Sequence, residues 1–459
     1  MMELEAAQPE LRSGDYAGDA LSLLPPQPKT VRETGLELQL LVELVAKALF
    51  VCGKTHLPVL TTRLRLSLNV LRETLDFMVG ERVAEVAWRG ASDIDVQYQL
   101  TVAGKQRAAA WLQRSPYLGP APVPLEAYRV MVARQARMLP SVTADDVAAA
   151  FGDDNLPPAI HALAGAAMHS GRSVLLYGPP GSGKTTLAEK LGHLLAGIVA
   201  VPYAVAVGQE IVLLHDPALH VQPVQPHAVP ARPAMERRSG DFRWVLCQRP
   251  VVRLGAELAA DMLDLRHDAF AGCHHAPAHW KANHGLFIVD DLGRQRMPAM
   301  DLLNRLAAPL NAGLDQLALQ GGHKFSIPFD ARLVLTTSMA PQTLLHASAL
   351  RRIGYKIHVG AIDDGAYRTL FRQQCRATGI AVDEAGLRYL VDELHRGSGE
   401  PLLVSHPREL LSRIADFAGF TGQPAQASVA ALEQAWSSMF AACGPRHDGA
   451  DANLCESLE

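Results

Sequence analysis

Short apolar runs set the frame of this chain. Val174–Tyr177 (VLLY) and Leu286–Val289 (LFIV) are continuous rather than alternating. Each therefore reads as a strand buried on both faces, as in the middle of a parallel sheet. Further strands are expected over Ala331–Thr337 (ARLVLTT), over roughly Ile198–Val207, and after the helical stretch ALRRIG. Helical periodicity takes over after the first run (TTLAEKLGHLLA), and the chain beyond the last strand reads as helical. Strands alternating with helices predict an α/β fold with a parallel sheet, here followed by a helical region.

The first quarter has a different rhythm. Leu36–Val51 predicts a long apolar helix, and shorter ones follow over Pro58–Leu66 and Leu68–Met78. Pro58 suits the start of its helix, where a missing N–H costs nothing. Two alternating runs, RVAEVAW and VQYQLT, flank the polar tip RGASDID, and a final helix closes the unit. This order predicts a winged-helix module over 31–115, preceded by a disordered tail at 1–30. The expected reading helix carries Arg72 and Arg82 beside Glu73, Asp76 and Glu81. A phosphate-facing helix needs a basic surplus, so DNA reading and protein docking both stay open.

A Pro-rich linker and helical connector follow over 116–156. An α/β core is expected over 157–362, with an exposed Pro/His-rich insertion at 215–240. A helical lid over 363–442 and a tail at 443–459 complete the expected organisation.

Composition narrows the class. With 459 residues the chain exceeds one ordinary domain, and 48% hydrophobic against 20% charged residues allows a substantial core. A formal net charge of -4 gives no global drive towards nucleic acid or anionic membranes. No apolar run reaches membrane-spanning length, and the start MMELEAAQPE lacks a secretory core. Neither membrane insertion nor export is expected, so the expected location is cytoplasmic. The cysteines Cys52, Cys247, Cys273, Cys375, Cys443 and Cys455 form no CxxC pair, which fits free thiols.

The chemistry is concentrated where the apolar runs end. After the first comes Gly178-Pro179-Pro180-Gly181-Ser182-Gly183-Lys184-Thr185-Thr186, a phosphate-binding loop (GxxxxGK[ST]) between a strand and a helix. Its glycines let successive N–H groups point at phosphate oxygens, with the helix N-terminus behind them. Lys184 supplies a charge for the outer phosphates, and the Thr185 hydroxyl can ligate Mg2+. The second run ends in Asp290-Asp291. Asp290 would hold Mg2+, and Asp291 would orient or deprotonate an attacking water; an acidic turn after a buried strand is the plainer alternative. ATP with Mg2+ is the expected ligand.

The order of motifs resembles the AAA+ ATPase family over about Pro157 to Ala442. GPPGSGKT is similar to its Walker A and FIVDD to its Walker B, while TTSMAP looks like the first sensor strand. ALRRIGYKI resembles the arginine-finger region, and HPREL the second sensor of the lid. APAHWKANHGLFIVDD is similar to the approach to Walker B in MoxR-type ATPases and enhancer-binding activators. The whole chain resembles a group of bacterial AAA+ ATPases with an N-terminal winged helix. The resemblance implies a homo-oligomeric, hexameric ring that hydrolyses ATP and remodels a protein client. The alternatives are a nucleotide-gated DNA-binding regulator and a non-hydrolysing ATP-binding scaffold.

Carried over residue by residue, the resemblance assigns Ser338 to the first sensor, Arg351 or Arg352 to a finger aimed at a neighbour's nucleotide, and Arg408 to the lid. Two positions depart from the family pattern: Asp291 stands where Glu is usual, and Ser338 where Asn is usual. Three local readings stay open. The hydroxyls of Thr336, Thr337 and Ser338 either touch water and phosphate or end a strand. Arg351 and Arg352 either reach a neighbour or are solvated. Cys273, His274, His275 and His279 are read as a polar loop rather than a zinc site, because CHHxxxH fits no usual zinc spacing.

Overall fold

The computed structural model describes residues 23–91, 95–152, 154–223 and 240–440. The chain divides into two compact units. The first runs to Ala150 and continues through Leu163–Tyr177 and Leu187–Ile357; the second joins Phe151–Ala162, Gly178–Thr186 and the chain from His358.

The first unit opens with α1 (Leu38–Cys52), β1 (Thr55–His56), α2 (Leu57–Leu64), α3 (Leu68–Gly80), β2 (Ala84–Arg89), β3 (Val96–Leu100) and α4 (Val102–Arg114). Pro58 lies in the first turn of α2, and the Ser67 hydroxyl caps α3 by accepting from Val70 N–H. The strands form an antiparallel sheet in the order β1-β3-β2. The middle of the expected tip, residues 92–94, lies outside the described residues.

This module is not a separate bead. Leu41, Leu44, Val45, Leu60 and Leu71 share one apolar core with Ala204, Ala206, Ile211 and Cys273 from later in the chain. Within α1, Glu43 accepts from Arg114 at 2.6 and 2.7 Å, and the buried Lys47 donates to Ser115 O at 3.0 Å. Arg243, only 4% exposed, pairs with Asp241 at 2.8 Å and donates to the carbonyls of Thr34 and Pro122, each at 3.1 Å. Of the tail expected over 1–30, residues 23–30 are described, and they are held down. Pro26 bridges to Gly240, Asp241 N–H donates to Pro25 O, and the Ser67 hydroxyl donates to Pro28 O.

The linker supplies β4 (Val123–Pro124), α5 (Leu125–Met138), α6 (Ala144–Phe151) and α7 (Pro158–Ser170). After β5 (Val174–Tyr177) and α8 (Lys184–His193) come β6 (Ile198–Pro202), β7 (Ala204–Val207), β8 (Glu210–Leu213), β9 (Trp244–Gln248) and β10 (Val251–Leu254). Next are β11 (Arg266–Asp268), β12 (Cys273–His275), α9 (Ala278–Lys281), β13 (Leu286–Val289), α10 (Ala299–Arg305) and α11 (Ala307–Ala312). The hairpin β14 (Leu314–Ala318) and β15 (Lys324–Pro328) precedes β16 (Arg332–Thr337), α12 (Pro341–Leu344), α13 (Ala347–Arg352) and β17 (Tyr355–His358).

The central sheet has the order β10-β13-β16-β5-β17, and the pairs β10–β13, β13–β16 and β16–β5 are parallel. All four residues of β13 are buried, as a two-faced strand requires. The strand expected over Ile198–Val207 is corrected: it is two strands in two other sheets. β6 pairs antiparallel with β9, while β7 joins β11-β12-β8-β7-β4. Tyr203 is the break, its N–H donating to Arg243 O and its carbonyl accepting from Leu214. The edge strands of the central sheet are β10 and β17. Of the expected insertion at 215–240, residues 224–239 lie outside the described residues.

In the second unit, α14 (Asp364–Thr378) is capped by Asp363, whose carboxylate accepts from Ala366 N–H at 2.8 Å. Then follow β18 (Ala381–Val382), α15 (Glu384–Tyr389), a π-helical stretch Leu390–His395, and α16 (Arg396–Ser398). The long α17 (His406–Thr421), β19 (Gln426–Ala427) and α18 (Val429–Met439) complete it. Tyr367, Phe371, Leu387, Leu410 and Leu432 are buried in this unit. Residues 1–22 of the tail expected over 1–30, and the tail expected at 443–459, lie outside the described residues. Among the described residues, no helix is long and apolar enough to cross a membrane.

Candidate nucleotide-binding site

In the second unit the loop Gly178–Thr186 curls through three glycines with left-handed or otherwise L-unfavourable backbone: Gly178 at φ 150°, Gly181 at 80° and Gly183 at 90°. A Cβ on Gly178 would meet Val359 O at 2.0 Å, and one on Gly181 would meet the Ser405 hydroxyl at 2.4 Å. Two further contacts bind this loop and the chain before α17. Ser405 N–H donates to Gly181 O at 3.1 Å, and a Cβ on Gly183 would meet Val404 at 2.9 Å. The Lys184 side chain, 5% exposed, donates to Pro179 O at 2.7 Å within its own loop.

The Ser182 hydroxyl is fully buried and has no hydrogen-bond partner among the described residues. A buried hydroxyl is ordinarily satisfied, and a phosphate oxygen is the chemistry this cradle lacks. Gly181 to Thr186 thus have the residue types to hold phosphate, with Pro179 and Pro180 preceding them and Thr185 half-exposed at the helix start. Arg408 lies exposed in the first turn of α17. Ser405, just before α17, makes no side-chain capping bond, and its backbone N–H donates to Gly181 O.

In the first unit β16 and β5 end level, and β13 beside them ends two residues earlier in register. Val289 pairs with Leu335, and Thr337 pairs with Tyr177, after which the chain enters the loop. Asp290 and Asp291, both partly exposed, follow β13 directly. The Thr336 hydroxyl donates to Asp290 Oδ1 at 2.6 Å and accepts from Asp291 N–H at 2.9 Å. The Thr337 hydroxyl donates to Leu292 O at 2.8 Å. Thr336 and Thr337 are fully buried, so the open alternative resolves for these two. They lock the acidic turn, and Ser338 alone of the three hydroxyls is partly exposed.

Arg351 and Arg352 end α13, both exposed. The histidine cluster is corrected from a polar loop. Cys273–His275 is strand β12, and His279 is fully buried in α9, 2.7 Å from Asp315. Asp315 also accepts from Arg305 at 2.6 and 3.0 Å. Burial alone would raise this carboxyl, but the bonds from His279 and Arg305 outweigh it and hold the pKa below the usual value. Among the described residues, no group of His, Cys, Asp or Glu could hold a metal ion by itself. Sequence reasoning missed Gln295, whose amide touches both acids' carbonyls; a glutamine in a polar loop carries no pattern of its own.

Residues 363–438 match a family model described as a domain of unknown function, DUF8689. No curated protein matches the chain. Among solved structures, it is similar to a RuvB mutant from Thermotoga maritima at 12% identity and a TM-score of 0.36, covering 62% of this chain and 69% of that one. It is also similar to NtrX from Brucella abortus in complex with ADP, at 13% identity and a TM-score of 0.39, covering 71% of this chain and 61% of that one. The Thermotoga maritima RuvB Holliday junction branch migration motor is similar at 12% identity and a TM-score of 0.34, over 65% of this chain and 70% of that one.

Proposed function

We propose that the chain is an AAA+ ATPase that binds ATP with Mg2+, hydrolyses it, and uses the cycle in a ring of like subunits to remodel a protein client. The observation that carries this reading is the glycine-curled loop leaving a parallel strand, with Lys184 and an unsatisfied Ser182 hydroxyl buried inside it. In this reading Lys184 draws the outer phosphates, and Thr185 and Asp290 hold Mg2+. Bound Mg2+ neutralises phosphate charge. Asp291 orients the attacking water or takes its proton as the bond to the ADP oxygen breaks. Arg408 reaches the nucleotide from the lid, and Arg351 or Arg352 reaches that of a neighbour.

The order of α1 to α3 followed by the β1-β3-β2 sheet supports a winged-helix reading of the first module. A protein client fits it better than DNA. The α3 helix exposes Glu73 and Asp76, and Arg65 is spent over the Tyr203 ring at 5.5 Å. Steady-state phosphate release from ATP, titrated in protein concentration with Lys184→Ala as control, tests the proposal. Specific activity should rise with concentration and vanish in the control. Activity equal to the control throughout would remove hydrolysis from the reading.

A further inference from the structure

We propose that Thr336 and Gln295 are positioning residues that fix the Asp290–Asp291 turn for hydrolysis; this rests on the ATPase reading above. The turn is held in a conformation it would not choose. Asp291 has φ 53°, in the left-handed region that side-chain-bearing residues seldom occupy. Such backbone persists only when its surroundings over-determine it.

Two side chains supply that determination. Thr336 has a single hydroxyl proton, and it goes to Asp290 Oδ1 at 2.6 Å. Thr336 Oγ1 in turn accepts from Asp291 N–H at 2.9 Å, so one atom orients the first carboxylate and pins the backbone of the second. The carbonyl of Thr336 adds a bond from Leu292 N–H at 2.6 Å. From the other side, the Gln295 amide donates to Asp290 O at 2.7 Å and Asp291 O at 3.1 Å, while its carbonyl accepts from Gly293 N–H at 2.8 Å. The acids are thereby set by the neighbouring strand and by their own loop. The Asp291 side chain itself enters no hydrogen bond or ion pair among the described residues, which leaves it available to a water.

The test compares Thr336→Val, Thr336→Ser and Gln295→Ala with the unaltered full-length protein. Four quantities are read: kcat and KM for Mg-ATP, affinity for a fluorescent ATP analogue, and amide exchange over residues 286–296. Displacement of a reacting group by about 1 Å can cost roughly 10²-fold. Thr336→Val should therefore lower kcat by about 10²-fold with KM and affinity little changed. Thr336→Ser should restore kcat, and Gln295→Ala should lower it in the same pattern. Exchange should quicken in Thr336→Val and Gln295→Ala with or without nucleotide. A wild-type kcat in Thr336→Val, or no rescue by serine, would overturn the proposal. If the unaltered protein binds ATP but releases no phosphate, the ATPase reading fails instead. Exchange then still judges the clamp: unchanged protection overturns it, and quickened exchange upholds it.

Discussion

Asp291 is one methylene shorter than the Glu expected from the resemblance, yet its backbone turns into the left-handed region and its carboxylate is unengaged. The shorter side chain thus stands on a left-handed backbone, and the position retains an acceptor at the strand end. Asp291→Asn should lower turnover by about 10²–10⁴-fold while nucleotide affinity holds, because it removes a base without removing volume. Single-turnover hydrolysis beside equilibrium binding checks this; unchanged turnover would take the base role from Asp291. Elsewhere the strongest polar node is structural. Asp315, 1% exposed, holds the fully buried His279 and the Arg305 fork. Asp315→Ala should cost about 3–5 kcal/mol in denaturant unfolding, since it strands partners inside the protein. The acids and Lys184 were legible in the sequence because apolar runs point to them. Asp315 was not, for an isolated carboxylate in the strand LDQLA shows no trace of its distant histidine.

Elements with one dominant pattern read well. The run LFIV became β13, and Ala331–Thr337 became β16 within a residue. The stretch Ile198–Val207 misled because both its halves are apolar, and only pairing with β9 and β8 separates them. In the second unit, His395 and His406 stack with centroids 5.4 Å apart, and the Tyr367 hydroxyl lies 2.9 Å from His395 Nε2. Burial pushes both rings down to about 4. The unfolded chain takes protons at these rings from about pH 6.5 downwards. Stability from keeping them neutral is therefore complete above that pH and falls as acid is added through the window to about 4. Melting of the full chain should drop between about pH 7 and 5, and His395→Gln should flatten the slope. A melting temperature that stays level in the wild type would contradict this.

At the scale of the whole molecule, the proposed function makes a complete catalytic set depend on assembly. Arg351 and Arg352 end a six-residue helix, exposed to solvent. If either acts on a neighbour's nucleotide, the alanine variant loses about 10³–10⁵-fold in turnover and still binds ATP. Retained turnover in both single variants and in the double would remove this role. A further consequence follows from the core that α1 to α3 share with Ala204, Ala206, Ile211 and Cys273. Those four small or medium side chains come from the middle of the sequence, and Tyr117 and Ala121 share the cluster with them. A nick or truncation that strips away the first module would turn a seam into a sticky surface, and the remainder would be recovered from cells as aggregate rather than as a leaner engine. The same seam binds inheritance. A relative cannot exchange this module as a cassette; its inner face must vary in step with β7, β8 and β12, leaving only the outer face free to acquire new partners.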